Sequence, residues 1–246
     1  FRYQEQSATE IGSFAERQVY KTSLLETVKE YFDKHPNMHV ALEGTLTIDG
    51  FETLNKGKKA NFQMVKGLVE QVRRIKDETE MIHLRRAFAI GDKAFASLLK
   101  HIKPGRKEND LAARLEFLMR QAGSEGMSFD TIVAGGERAS CPHAQPTDRK
   151  VRAGEMIKID FGAVSGGYHS DMTRTVFLGK ADKKFREIYT IVHDAQQKAV
   201  DGLKAGVKCA DVDKIARDYI SKHKYGEHFG HGHGHSLGLD IHESPP

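Results

Sequence analysis

Met156-Ile157-Lys158-Ile159-Asp160-Phe161-Gly162 and Ser170-Asp171-Met172-Thr173-Arg174-Thr175 flank the glycine-rich stretch Ala163-Val164-Ser165-Gly166-Gly167. Both flanks carry a β pattern, and the glycines between them suit a tight reversal, so the segment reads as an antiparallel hairpin. With the turn centred between Ser165 and Gly166, Asp160 and Asp171 stand at equal distances from it. Regular pairing then sets the two carboxylates opposite each other, with Cβ atoms about 5 Å apart. Two anions so placed repel, and a divalent cation or a shared proton relieves the conflict. A one-residue slip in register would instead send them to opposite faces, and an Asp beside a turn can simply face water.

Upstream of the hairpin the pattern is helical. Asp77 with Glu80 forms a capping box, and Met81, Leu84, Phe88, Phe95, Leu98 and Ile102 follow at helical spacing until Pro104-Gly105 ends the run. A second helix carries Leu111, Leu115, Leu118 and Met119, with Gly123 placed for a left-handed cap. A strand is predicted at Phe129–Val133, others at Met156–Phe161 and Tyr168–Leu178, and helices at Lys183–Leu203 and Ala210–Lys222. Residues 1–75 read as part of a smaller α/β domain. There, Ser23 and Glu26 open a helix with Leu24, Leu25, Val28, Tyr31 and Phe32 on one face, and His39-Val40-Ala41-Leu42 suits a strand.

Downstream, histidines crowd. Of 13 in the chain, five (His228, His231, His233, His235 and His242) fall in the last twenty residues. In an extended segment, His231-Gly232-His233-Gly234-His235 sets three imidazoles on one face. Such a tract is either a metal site or an adventitious metal-binding run. His235 and His242 bracket the apolar run Ser236-Leu237-Gly238-Leu239-Asp240-Ile241, which reads as a buried strand.

The bulk figures narrow the class. With 39% hydrophobic and 29% charged residues over 246 positions, the chain has the make-up of an ordinary globular protein. A formal charge of +4 without a basic run interleaved with aromatics gives no footprint for nucleic acid. Two cysteines, Cys141 and Cys209, exclude a disulfide-dense scaffold and make a reducing compartment, the cytoplasm, the default. No apolar run has the length of a membrane span.

Taken in order, Pro142-His143, Asp160-Phe161-Gly162, Ser170-Asp171-x-Thr173-Arg174-Thr175 and the stretch from His231 through His235 and His242 to Glu243 resemble the pita-bread metallopeptidases. Within them the match is to Xaa-Pro aminopeptidases and Xaa-Pro dipeptidases (prolidases). Phe1-Arg2-Tyr3-x-Glu5-Gln6 looks like the middle of their N-terminal domain, and Ile75-Lys76-Asp77 through Leu84-Arg85 like the entry to their catalytic domain.

The resemblance implies an α+β pita-bread domain over 76–246, preceded by a partial domain over 1–75. It implies two divalent ions, Mn²⁺ with Co²⁺ or Zn²⁺ as alternatives, held by Asp160, Asp171 as the bridging ligand and His235. The two later glutamates of the family's ligand set have no counterpart before Pro246. The expectation is therefore a chain truncated at both ends, incomplete and inactive by itself. His143, His231 and His242 look like the histidines that surround the reaction centre and contact substrate; His233 carries no role. Thr173, on the strand face of Asp171, is placed to orient a carboxylate ligand. The implied activity is metal-assisted removal of an N-terminal residue that precedes proline in a peptide. The expected assembly is a homodimer without nucleic acid or membrane. Methionine aminopeptidase and Xaa-Pro dipeptidase are the alternatives within the same chemistry. A pita-bread module that has lost catalysis and binds other macromolecules is the alternative outside it.

Overall fold

Alternation along Met156–Phe161 decides where the core lies. Ile157, Ile159 and Phe161 are fully buried while Met156, Lys158 and Asp160 are not, so one strand presents an apolar face to the core and a polar face to the other side. A computed structural model describes residues 23–57 and 59–245, and the reading of Phe1 to Gln6 lies outside the described residues. The chain divides into two compact units, Phe1–Val69 and Glu70–Pro246.

In the first unit, α1 (Leu24–Lys34) starts on Ser23, whose hydroxyl accepts the Glu26 amide at 3.1 Å. Strands β1 (His39–Glu43) and β2 (Asn61–Val65) pair in parallel, with α2 (Ile48–Asn55) as the crossover between them. A short helix, α3 (Leu68–Arg73), spans the boundary between the units.

In the second unit, α4 (Glu78–Leu98) opens with the expected capping box. Asp77 accepts the Glu80 amide at 2.9 Å and Glu80 accepts the Asp77 amide at 2.7 Å. The helix α5 (Glu108–Gln121) closes on Gly123 at φ +100°, with the Ser124 amide reaching the Met119 carbonyl and the Gly123 amide reaching Arg120. Those two bonds are the helix-closing pair expected of a left-handed cap. Apolar side chains of α4 and α5, Leu98, Leu111, Leu115 and Met119 among them, cluster with the apolar face of a three-stranded antiparallel sheet. Its order is β3 (Ile132–Gly135), β4 (Met156–Phe161), β7 (Met172–Phe177). Helices α6 (Lys183–Gly202) and α7 (Cys209–Lys222) share a separate small core of Ile191, Ala195, Ala199, Val212, Ala216 and Ile220. Among the described residues no helix is long and apolar enough to cross a membrane.

Three expectations need correction. The predicted strand at Phe129–Val133 begins only at Ile132. Just before it, the Ser128 amide and hydroxyl bond Gly162 and Ala163 at 3.0 and 2.9 Å, so residues 129–131 link two separate pairings. The long strand expected at Tyr168–Leu178 is two pieces, β6 (Tyr168–His169) and β7, parted at Ser170-Asp171. Ser170 is fully buried, and its hydroxyl accepts the Ala163 amide at 3.0 Å in place of regular pairing. A Cβ on Gly162 would lie 1.9 Å from the Ser170 carbonyl oxygen, so the backbones approach there as only glycine allows.

The third correction is the hairpin register. β5 (Val164–Ser165) meets β6 across a two-residue turn of Gly166 and Gly167, both at positive φ (57° and 78°). Turns of that kind match the twist of the flanking strands. The turn centre thus lies one residue later than expected, which moves the pairing by two. Asp160 faces Thr173, not Asp171. A shift of two keeps the face, so Asp160 and Asp171 are diagonal neighbours on the side away from the core.

Candidate metal centre

The polar face of β4 meets the tail at Asp171. Thr173, directly opposite Asp160, donates its hydroxyl to the Asp160 carboxylate at 2.7 Å and fixes its rotation. The Asp171 side chain is only a quarter exposed. Burial first, and the Asp160 charge second, push its carboxyl above the usual range, while His235 and His242 pull the other way.

His235 carries the strongest chemical indication. Its Nε2 lies 3.2 Å from Asp171 Oδ2, and its Nδ1 lies 3.1 Å from the Ser236 carbonyl. Both ring nitrogens therefore face acceptors, yet a neutral imidazole has one N–H. With the proton on Nδ1 toward Ser236, the bare Nε2 and the Asp171 oxygen point lone pairs at one another. A proton or a cation between them removes that conflict. Metal-ligating histidines are oriented in this way, with the second nitrogen donating to a carbonyl. Two ligands at about 2.1 Å from one ion, subtending roughly 100°, stand about 3.2 Å apart. Oxygen and imidazole donors together suit Mn²⁺, Co²⁺ or Zn²⁺. The donors fit one open coordination sphere and do not close it: among the described residues, no three His, Cys, Asp or Glu side chains converge on a common point.

The loop after His235 is not the strand expected. Ser236 and Glu243 form an isolated bridge that closes the loop, and the His169 amide of β6 donates to the Gly238 carbonyl at 2.8 Å. This brings the His242 ring to 4.3 Å from that of His235. Beneath the loop, the Glu243 carboxylate accepts from Arg73 at 2.5 Å and Lys76 at 2.8 Å, and Arg73 also bonds Asp240 at 2.7 Å. Burial disfavours the Glu243 charge, but the Lys76 and Arg73 bonds and the Asp240 amide outweigh it and hold this carboxyl down at about 2.

The structure links these residues in pairs, Asp160 to Thr173, Asp171 to His235 and His235 to His242, without gathering them on one point. It does not join His143 or His231 to that group by any hydrogen bond or ring contact among the described residues. The His231 ring turns to the Gly232 carbonyl at 2.7 Å and packs edge-on against Phe229. The three alternating histidines do not share an extended face, because α7 holds the segment in an irregular path. Arg217 binds the Phe229 and His231 carbonyls, each at 2.8 Å, and Asp213 takes the His233 amide at 2.8 Å. His143 is exposed, in a loop whose neighbouring carbonyls, Cys141 and Pro142, both accept from Lys158. Burial draws the Lys158 ammonium below the usual lysine range, opposed by Asp160.

Sequence reasoning overlooked Lys158 and the Arg73–Lys76–Glu243 cluster. The first had a signal, because Lys158 shares the strand parity of Asp160. The second had none, since its partners lie some 167 to 170 positions apart.

A family model described as metallopeptidase family M24 matches residues 82–246. An Xaa-Pro dipeptidase of Pyrococcus horikoshii is 39% identical over 225 residues, covering 88% of this chain; the chain spans 64% of that relative's length. Among solved structures, an Xaa-Pro dipeptidase from Bacillus anthracis superposes with a TM-score of 0.93 at 38% identity, over 100% of this chain and 69% of the other. An X-Pro aminopeptidase from Thermotoga maritima MSB8 gives 0.92 at 36% identity, over 99% and 70%.

Proposed function

This chain belongs to metallopeptidase family M24 and has its α+β pita-bread fold, and on that premise we propose that its protein removes the N-terminal residue from peptides with proline in second position. Asp160, Asp171 and His235 would hold divalent metal, most suitably Mn²⁺. The observation that carries this reading is the His235 imidazole, with both nitrogens toward acceptors and Asp171 beside one of them. When bound, the metal supplies a water of lowered pKa and polarises the scissile carbonyl.

The chain's own residues do the remaining work. Thr173 holds one carboxylate rotamer, and the Ser236 carbonyl holds one His235 tautomer. His242, stacked at an angle on His235, faces the reaction centre and donates a hydrogen bond to the oxyanion or a proton to the leaving proline nitrogen. His143 and His231 complete the histidines that contact substrate. Residues 76–246 belong to the pita-bread metallopeptidase domain, and residues 1–75 to a smaller N-terminal domain. The working protein is a cytoplasmic homodimer.

A second reading, Xaa-Pro dipeptidase, has the support of the P. horikoshii and B. anthracis relatives' names. The retained trio Asp160, Asp171 and His235 argues against a non-catalytic module. Assay with Mn²⁺ separates the readings. An aminopeptidase releases Ala from Ala-Pro-Ala and leaves Ala-Ala-Ala intact, whereas a dipeptidase prefers Ala-Pro. Faster removal of Met from Met-Ala-Ser would point to a methionine aminopeptidase and overturn the proposal.

A further inference from the structure

We propose that Lys158 is a positioning residue that ties the Cys141–His143 loop to strand β4 and thereby sets where His143 stands. The inference rests on the reading above for the role of His143, and on the loop's own geometry for the role of Lys158. Alternation along β4 sends Lys158 to the face of Asp160, away from the core. A lysine there would ordinarily extend into water. This one turns its ammonium onto two successive main-chain oxygens, those of Cys141 and of Pro142, the latter at 2.8 Å. Among the described residues it makes no ion pair.

The loop needs such an anchor. The Cys141 amide bonds the Arg138 carbonyl and the Thr147 carbonyl takes the Asn109 amide; between them, residues 142–146 make no backbone–backbone hydrogen bond among the described residues. Side chains carry the whole span. Arg138 donates to the Gln145 carbonyl at 2.5 Å, and the fully buried Glu108 accepts from the Thr147 amide and hydroxyl at 3.1 and 2.7 Å. Those two grips hold the far end. Lys158 holds the near end, where His143 is the next residue after Pro142. Removing the ammonium leaves two carbonyls without their partner and frees the side of the loop that carries the imidazole.

Cys141 supplies a reporter that does not depend on catalysis, because its thiol is free and exposed in the same loop. In a Cys209→Ser background of the full chain, the rate of Cys141 alkylation should rise about fivefold for Lys158→Met, the scale expected when hydrogen bonds from a charged group are lost. Lys158→Gln is the second neutral variant, should Lys158→Met fold poorly, and should show the same direction. Lys158→Arg, which keeps cation and donors, should stay within about twofold of the parent.

In the Mn²⁺-loaded protein, Lys158→Met should lower kcat on Ala-Pro-Ala about tenfold with Mn²⁺ affinity unchanged, as for a displaced acid–base group. Equal alkylation rates in parent and neutral variants would overturn the proposal. A fall in Mn²⁺ affinity that tracks the fall in kcat would also overturn it, since Lys158 would then act through Asp160. A full-length parent protein without Xaa-Pro cleavage would remove the proposed function, and the alkylation rates alone would then decide for or against Lys158.

Discussion

The two halves of the candidate centre are held by different forces. Asp160 and Thr173 sit in an antiparallel ladder, with Asp171 at its margin, and the backbone itself sets their spacing. His235 and His242 sit in a tail without regular structure, placed by ion pairs and side-chain grips from Arg73, Lys76, Asp213 and Arg217. The spacing of the carboxylate half should therefore be insensitive to salt and intolerant of steric change. The histidine half should show the reverse.

Glycine substitutions give the sharpest contrast. Gly162→Ala puts a Cβ against the Ser170 carbonyl, a backbone atom that cannot swing aside, and should cost about 3 kcal/mol or more in urea unfolding. Gly232→Ala and Gly234→Ala meet nothing within 4 Å and should stay within about 0.5 kcal/mol of the parent. Comparable losses at all three positions would dissolve the distinction between ladder and tail.

Metal affinity comes next. Asp171→Asn removes the carboxylate that faces both Asp160 and His235, and should weaken Mn²⁺ binding in calorimetric titration at least about 100-fold. His231→Ala, whose ring turns to its own loop, should change that affinity less than about threefold. An unchanged affinity in Asp171→Asn would take this residue out of the centre.

What could be read in advance divides along the same line. The span of β4, the Asp77–Glu80 box and the Gly123 cap were legible because alternation and helix capping are local. The register was missed by two because Ala163 to Gly167 offers more than one turn centre, and only the Gly166-Gly167 backbone chooses between them. Even so, Asp160 and Asp171 were expected on one face, since an even shift preserves it. The run from His235 to His242 was misread as a strand, and the Gly-His tract before it does not share the extended face considered for it. The tail's path depends on Arg73 and Lys76, far away in sequence, and on Asp213 and Arg217 of a neighbouring helix. Nothing in the Gly-His alternation announces those partners.

Acid should loosen the histidine half. Glu243 titrates at about 2 in the folded chain against an ordinary value of 4.5. Its folded-state pKa is lowered, so the stability it contributes is complete above about pH 5 and disappears as the pH falls from 4.5 toward 2. By that shift the contribution is on the order of 3 kcal/mol. Glu243→Gln should cost this much at pH 7 and nearly nothing at pH 2, so the gap between the two unfolding curves closes on acidification. A constant gap would mean that the loop is held by packing and not by the Arg73 and Lys76 charges.

The smallest effect tests the grip of α7. Asp213 pairs with Arg217 at 2.8 Å and accepts the His233 amide, but both side chains are partly exposed, about a quarter and a third. Hydrogen bonds from Arg217 lead the forces that keep the Asp213 carboxyl low, and the His233 amide adds to them. Exposed pairs of this kind are worth about 0.5–1 kcal/mol, so Asp213→Ala should lower stability by no more than that. Its consequence should be local. Without Asp213, His233 loses its acceptor and Arg217 loses the carboxylate that aims it at the Phe229 and His231 carbonyls, so amide exchange should quicken across 229–233. Raising the salt to 1 M shortens the screening length to about 3 Å and should produce much of the same quickening in the parent chain. Amides of β4 and β7 should not respond to either change, because their bonds run between backbones with no net charge at stake. Parallel quickening in strand and tail would show that the two halves open together, and the separation drawn between them would fall.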